Sequence, residues 1–305
     1  MGDVKVPLAK RRPGIALVRP RLHNNTQENR DLFKRWARLH MRDTLSIPKD
    51  GVLGGASRVL RYTRLTEDGE EEYLFTIVLD DVQLPGTNRF QNVPQRLDLE
   101  NTRVLDEGEE PVLQEGDLRA GTKPMVFSVV SPSVGIFEAV ADVSIIKHPH
   151  KSYQHEITKL VTEADPSTYM LITVTMAITK DIPTPDLPYE RLRDSLVHTL
   201  TGATQQLVHA TLYYHASDAQ TSMLPKISKG EDGRGEWLIC ALVGGDRDSG
   251  VKDLAEEFME DQYGDWARRR VLESAEGWRK GLENEGALKE VQLKVGVWKG
   301  DIFMS

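Results

Sequence analysis

The order in which apolar runs follow one another constrains this chain more than any other feature of its sequence. Gly14-Ile-Ala-Leu-Val18, directly after Pro13, is a short apolar run of the kind that makes a buried strand. Asn24, Asn25 and Thr26 supply helix-capping side chains, and Glu28 follows Asn25 by three residues. Leu32, Phe33, Trp36, Leu39 and His40 then recur at helical spacing, which predicts an amphipathic helix with one aromatic-rich face. A turn from Pro48 to Gly55 ends that helix. Ala56–Tyr62 and Tyr73–Leu79 read as strands joined by the acidic turn Thr66–Glu72. Gln83 to Lys123 is rich in Pro, Gly, Asn and Glu, and is expected to hold loops around a short helix at Pro94–Leu105. Met125–Val130 and Ile136–Ile146 can supply a fourth strand.

The same series then begins again. Tyr169–Ile178 is a strand, and Pro188 suits the first turn of a helix carrying Leu192, Leu196 and Leu200 and ending near Gly202. His209–Tyr214 and Trp237–Val243 are strands, and helices are expected between Val251 and Leu282, anchored by Leu254, Phe258, Trp266 and Trp278. Val291–Trp298 alternates cleanly as the last strand. Two β-α-β-β-α-β series in one order indicate a duplicated ferredoxin-like unit. The expected units are residues 1–146 with an N-terminal leader, a polar, His-rich linker at 147–167, and a diverged copy at 168–305. A four-stranded sheet covered by helices on one face must bury its other face. The expected fold is therefore α+β: two repeats packed sheet to sheet as an intramolecular barrel, with a cavity between the sheets.

Composition narrows the function. The chain has 305 residues, 39% hydrophobic and 28% charged, a mixture typical of ordinary globular proteins. A net charge of -8 disfavours nucleic acid as a partner. The one basic cluster, Lys10-Arg11-Arg12, reads as a solvated leader. Cys240 is the sole cysteine, so no internal disulfide can form, and its apolar surroundings in sequence read as core rather than as a reactive thiol. No run approaches the roughly 20 apolar residues of a membrane helix, and Met1–Pro7 lacks a secretory h-region, so no membrane partner and a cytoplasmic location are expected. Lys147-His-Pro-His150 and His155 have irregular spacing and no cysteine partner, which argues against a metal site. Gly54-Gly55 and Gly244-Gly245 are turn glycines; neither a phosphate-cradling loop nor a Gly-x-Ser-x-Gly elbow is present. Nucleotide use and serine hydrolysis are disfavoured, and no cofactor is expected.

The first half resembles the EthD-like branch of the dimeric α+β barrel superfamily, in the long two-repeat form common in filamentous fungi. Its carriers are Gly14-Ile-Ala-Leu-Val18, Phe33-Lys-Arg-Trp36, His40-Met-Arg-Asp43, Ser57-Arg-Val-Leu-Arg-Tyr62, Tyr73–Asp81 and Phe137-Glu-Ala-Val-Ala-Asp142. Related proteins show Trp-Tyr-x-x-x-His-Ile-Pro-Asp before a strand ending in Arg-Tyr; here Ala37 follows Trp36 and Arg42 stands in place of the Pro. Val197-His-Thr-Leu200 and Thr211-Leu-Tyr-Tyr214 are looser counterparts in the second half. The resemblance implies cyclases, decarboxylases, dehydratases or cofactor-independent oxygenases acting on aromatic or polyketide-like intermediates.

His40, Asp43 and Tyr62 are the catalytic candidates. A neutral imidazole at His40 suits general acid/base work, and Asp43 could orient it; both also suit capping of the helix end. Tyr62 and Arg61 end a strand, so their side chains alternate and one faces any cavity, to polarise a carbonyl or bind a carboxylate, or simply to pack at the barrel rim. Trp36 and Phe33 fit either core or an aromatic wall for a flat ligand. His198 and Tyr214 are candidate substrate-binding counterparts in the second half. The expected function is a cofactor-independent cyclase or lyase working by acid/base catalysis on a small aromatic, polyketide or terpenoid intermediate of secondary metabolism. The alternatives are a non-catalytic ligand-binding or scaffold protein and a cofactor-free monooxygenase of the same fold. Either a monomer with an internal pseudo-dimer or a homodimer is consistent with the duplication.

Overall fold

Strand β1 (Gly14–Leu22) lies between β3 (Tyr73–Leu79) and β4 (Val130–Ile145), antiparallel to both. β3 also pairs β2 (Ala56–Arg64), which completes the order β4-β1-β3-β2. The later strands repeat it: β8 (Val291–Asp301), β5 (Tyr169–Ile178), β7 (Gly235–Gly244) and β6 (Leu207–His215) lie side by side in that order. The two sets join at both edges, β2 to β8 and β4 to β6, and the eight strands close into one antiparallel barrel. This computed structural model describes residues 11–64, 73–96, 103–106, 108–109, 126–145, 169–178, 189–204, 207–216, 218–219, 235–244, 268–278, 280 and 291–301. The expected linker at 147–167 lies outside them.

Helix α1 (Gln27–Ser46) starts where Thr26 accepts a hydrogen bond from the Asn29 N–H. Asn24 and Asn25 help differently from the expected cap: the Asn24 carbonyl accepts from the Asn29 side chain, and the Asn25 side chain from Arg30. Helix α3 (Tyr189–Thr204) and the helical residues 268–278 lie over the second set of strands. The helix expected at Pro94–Leu105 is not seen among the described residues of that range. One helical turn, α2 (Asn88–Gln91), sits earlier and is capped by Thr87. Of the two apolar runs expected to supply the fourth strand, the first holds a 3-10 turn at Val126–Ser128, and β4 runs from Val130 through the second to Ile145.

Alternation along each strand divides the apolar side chains into three layers. On β1, Ile15 and Leu17 join Leu60, Tyr62, Leu74, Phe137, Leu171, Leu238, Cys240 and Trp298 in one cluster. That cluster fills the barrel. Ala16 belongs instead with Phe75, Ile77, Val134 and Ile136 under Phe33, Trp36, Ala37 and Met41 of α1. A third cluster packs Leu192, Leu196, Val197 and Leu200 of α3, with Val271 and Ala275, on Met170, Ile172, Val174, Val295 and Val297. Each fully buried Leu, Ile or Phe contributes about 1.5–3 kcal/mol, so all three layers stabilise the ring. Two side-chain hydrogen bonds lie inside the barrel, the first spanning it from β1 to β5 and the second joining the neighbouring strands β8 and β5. Arg19 Nη2 donates to Thr175 Oγ1 at 3.1 Å, and Trp298 Nε1 to Thr173 Oγ1 at 2.9 Å.

Candidate functional site

A cavity lies outside the barrel, where the expectation had put one between the sheets. The barrel interior is occupied by bulky side chains such as Phe137, Tyr62 and Trp298, whereas a cavity of about 640 Å³ lies between α1 and the outer face of β1, β3 and β4. Ala16 on β1 is small enough to leave that room beneath the helix. Phe33, Trp36, Met41, Phe75, Ile77 and Phe90 supply most of an apolar wall. His40 is the one imidazole among the described lining residues, and Gln91, Gln95 and Ser131 add polar groups.

Three contacts tie α1 to the segment after α2. His40 Nδ1 lies 2.9 Å from the Pro94 carbonyl, and Trp36 Nε1 donates to the Gln95 carbonyl at 2.8 Å. Asp43 takes both ends of the Arg96 guanidinium, at 2.7 and 2.9 Å, and also accepts from the Leu105 N–H at 3.0 Å. Both side chains of that ion pair are fully buried. Arg96 has a φ of 56°, a left-handed conformation that costs a non-glycine residue about 1–3 kcal/mol. The buried ion pair holds it there.

These contacts set the chemistry of His40. A carbonyl only accepts, so Nδ1 carries the proton and the neutral ring keeps its basic lone pair on Nε2. The Trp36 ring lies nearly parallel to the imidazole, 14° off, with centroids 4.9 Å apart. An aromatic face in that position stabilises a positive charge, so a proton taken up by His40 is partly compensated by Trp36. The orienting partner is the Pro94 carbonyl rather than Asp43, whose carboxylate is engaged by Arg96.

The structure brings together Phe33, Trp36 and His40 on the cavity wall, with Asp43 behind it. Tyr62 is buried in the barrel cluster, and its neighbour Arg61 is buried without lining the cavity. His198 is exposed on α3, and Tyr214 packs its ring on Trp237 with centroids 4.9 Å apart. Sequence reading missed Pro94, Gln95 and Arg96. Asp43 carries a usable signal: an acid on the buried side of an amphipathic helix demands a cationic partner, though not a particular one.

No family model matches this chain, and no curated protein matches it either. Solved structures match it at low identity and low TM-score. A protein assigned as a chlorite dismutase matches at 10% identity, covering 96% of both chains with a TM-score of 0.44. A mutant chlorite dismutase from Candidatus Nitrospira defluvii matches at 10% identity over 96% of this chain and 93% of its own, with a TM-score of 0.41. A protein assigned as a monooxygenase from Lactobacillus acidophilus NCFM matches at 9% identity over 95% and 94%, with a TM-score of 0.37. No helix among the described residues is long and apolar enough to cross a membrane.

Proposed function

We propose that the chain is an enzyme that encloses a small, largely apolar or aromatic molecule between α1 and the sheet and acts on it through His40. The observation that carries this reading is an imidazole of fixed tautomer on the wall of an otherwise apolar cavity. Such a group removes a proton next to a carbonyl, or returns one to a leaving oxygen, which is what cyclisation, dehydration and decarboxylation require. Apolar walls exclude water and hold a flat skeleton by contact area rather than by charge. The resemblance to EthD-like proteins agrees with this chemistry and points to an aromatic, polyketide or terpenoid intermediate of fungal secondary metabolism. Asp43 is a positioning residue in this reading, since it fixes the segment that carries the Pro94 carbonyl. No metal or cofactor takes part in the steps proposed, and the site lies within one chain, whether monomeric or paired with a second copy.

Incubation with aromatic polyketides and terpenoid aldehydes, followed by mass analysis of products, tests the reading. His40→Gln is expected to bind the same compound and leave it unchanged. A second reading rests on the same contacts: His40 is bonded to Pro94 and stacked on Trp36, as a purely structural latch would be. In that case the barrel binds a ligand without transforming it, and wild type and His40→Gln return it equally unaltered. A cofactor-free oxygenase would instead consume oxygen with an electron-rich phenol.

A further inference from the structure

A second reactive pair stands on the rim of the same cavity. Ser131, near the start of β4, lines the cavity, and its Oγ lies 2.6 Å from His23 Nε2. The other ring nitrogen of His23, Nδ1, lies 3.2 Å from the Ser128 carbonyl. Because that carbonyl only accepts, Nδ1 carries the proton and Nε2 is left to accept from the Ser131 hydroxyl. The His23 backbone N–H donates to the Val129 carbonyl at 2.9 Å, so backbone and ring are both tied to the stretch just before Ser131. A hydroxyl bonded to a base, with the base oriented by a third group, is the arrangement that activates a serine nucleophile.

The pair is separate from the His40 chemistry. Ser131 is opposite Arg21 in the β1–β4 register, beside the end of β1 from which the chain enters α1. His40 lies about 20 Å further along α1 than its first residue, at 1.5 Å per residue. Both Ser131 and His23 are exposed, so a substrate can reach them from solvent while its apolar portion enters the cavity. The two residues are 108 positions apart, and no Gly-x-Ser-x-Gly elbow announces them.

The geometry points to Ser131 as the nucleophile, and His23 as its base, of an acyl-transfer site for carboxylic esters with an apolar acyl group. His23 Nε2 takes the hydroxyl proton as Ser131 Oγ bonds to the acyl carbon. The ester C–O bond breaks, and the imidazolium returns the proton to the departing alkoxide, releasing an alcohol. Water then adds to the acyl-serine with His23 again as base, which frees the carboxylic acid and restores Ser131. Water is the only co-reactant. Pro132 follows the nucleophile and has no N–H, so the next residue cannot help to stabilise the developing oxyanion. Modest turnover is expected.

The test uses the full chain, an alkyl fluorophosphonate probe and para-nitrophenyl esters of short and medium acyl chains. Intact mass and peptide mapping are expected to place one phosphonyl adduct on Ser131. Ser131→Ala should abolish labelling and ester cleavage, and His23→Gln should slow both about 100-fold, the low end of a general-base contribution. Ser133→Ala, two residues along the same strand, should label as wild type does. Ser131→Cys adds a reading independent of esterase activity: its alkylation by iodoacetamide should slow when His23→Gln is added. Labelling mapped elsewhere, absence of labelling, or equal rates with and without His23 would overturn the assignment. None of these outcomes bears on turnover at His40, which is assayed with different compounds.

Discussion

Asp43 and Arg96 form a two-point ion pair with neither side chain reaching solvent, and it joins α1 to an irregular segment 53 residues further on. The pair does more than neutralise two charges. It keeps Arg96 in a left-handed backbone conformation and so presents the Pro94 and Gln95 carbonyls to His40 and Trp36.

Removing one partner should therefore cost more than the pair contributes. Asp43→Ala leaves a buried guanidinium without its carboxylate and is expected to destabilise the fold by about 3–5 kcal/mol. The double variant Asp43→Leu with Arg96→Met should recover much of that loss. Urea unfolding of the three proteins measures it; a single variant as stable as wild type would show that the pair is solvated.

The Trp298–Thr173 bond links the neighbouring strands β8 and β5 inside the barrel, beside Gly296. A Cβ on residue 296 would lie 2.5 Å from Trp298 Nε1 and 2.8 Å from Thr173 Oγ1, closer than side-chain atoms tolerate. Gly296→Ala is expected to lower the melting temperature by several degrees. Thr173→Val should cost about 1–3 kcal/mol by stranding a buried indole N–H. The two changes should be strongly non-additive in a double-mutant cycle, because they break the same bond.

Cys240 provides a pH signature. Burial in the barrel pushes its thiol up to about 12 from an ordinary 9.0. Below pH 9 the thiol is protonated in both folded and unfolded chains and contributes no pH dependence. Above it only the unfolded chain loses the proton, so stability falls with pH, by at most about 1.4 kcal/mol per unit from this group. Denaturant titrations from pH 8 to 11 should show a shallower decline in Cys240→Ala than in wild type. A disulfide reagent at pH 8 should react with the thiol only after unfolding.

The cavity can be filled from its floor. Ala16→Phe projects a ring from β1 into the space beneath α1 and is expected to reduce binding of any compound found in the screen at least tenfold. Isothermal titration of wild type and variant, with melting curves to confirm folding, measures this. Undiminished binding would place the ligand elsewhere.

Much of the fold was legible in local patterns. Tyr73–Leu79 and Tyr169–Ile178 were readable as strands to the residue, since each is an apolar run bounded by turn chemistry. The aromatic face of α1 was readable from the spacing of Phe33, Trp36 and His40. What failed was non-local. Pro94–Leu105 looked helical in isolation, but Arg96 is turned out of helical geometry by Asp43, a residue 53 positions away. The cavity was misplaced for a similar reason. A bare sheet face must be covered, but only the structure shows that Leu17, Tyr62, Phe137 and Trp298 fill the barrel and that Ala16 leaves room on the other side. Asp43 was readable as important and assigned the wrong neighbour, because nothing in its own helix identifies Arg96.

Among the described residues, the two seams that close the ring are unequal. β4 and β6 are matched through eight residue pairs, from Phe137–His215 to Ile145–Val208, whereas β2 and β8 share four, from Arg61–Asp301 to Arg64–Trp298. The shorter zipper is where the ring is expected to give way first under denaturant, swinging open like a clasp with the other seven pairings intact. Its released edges are two strands, each still paired on one side and open on the other. A chain caught in that state has a template to offer to another copy, so exchange of halves between molecules would start at Arg61–Arg64.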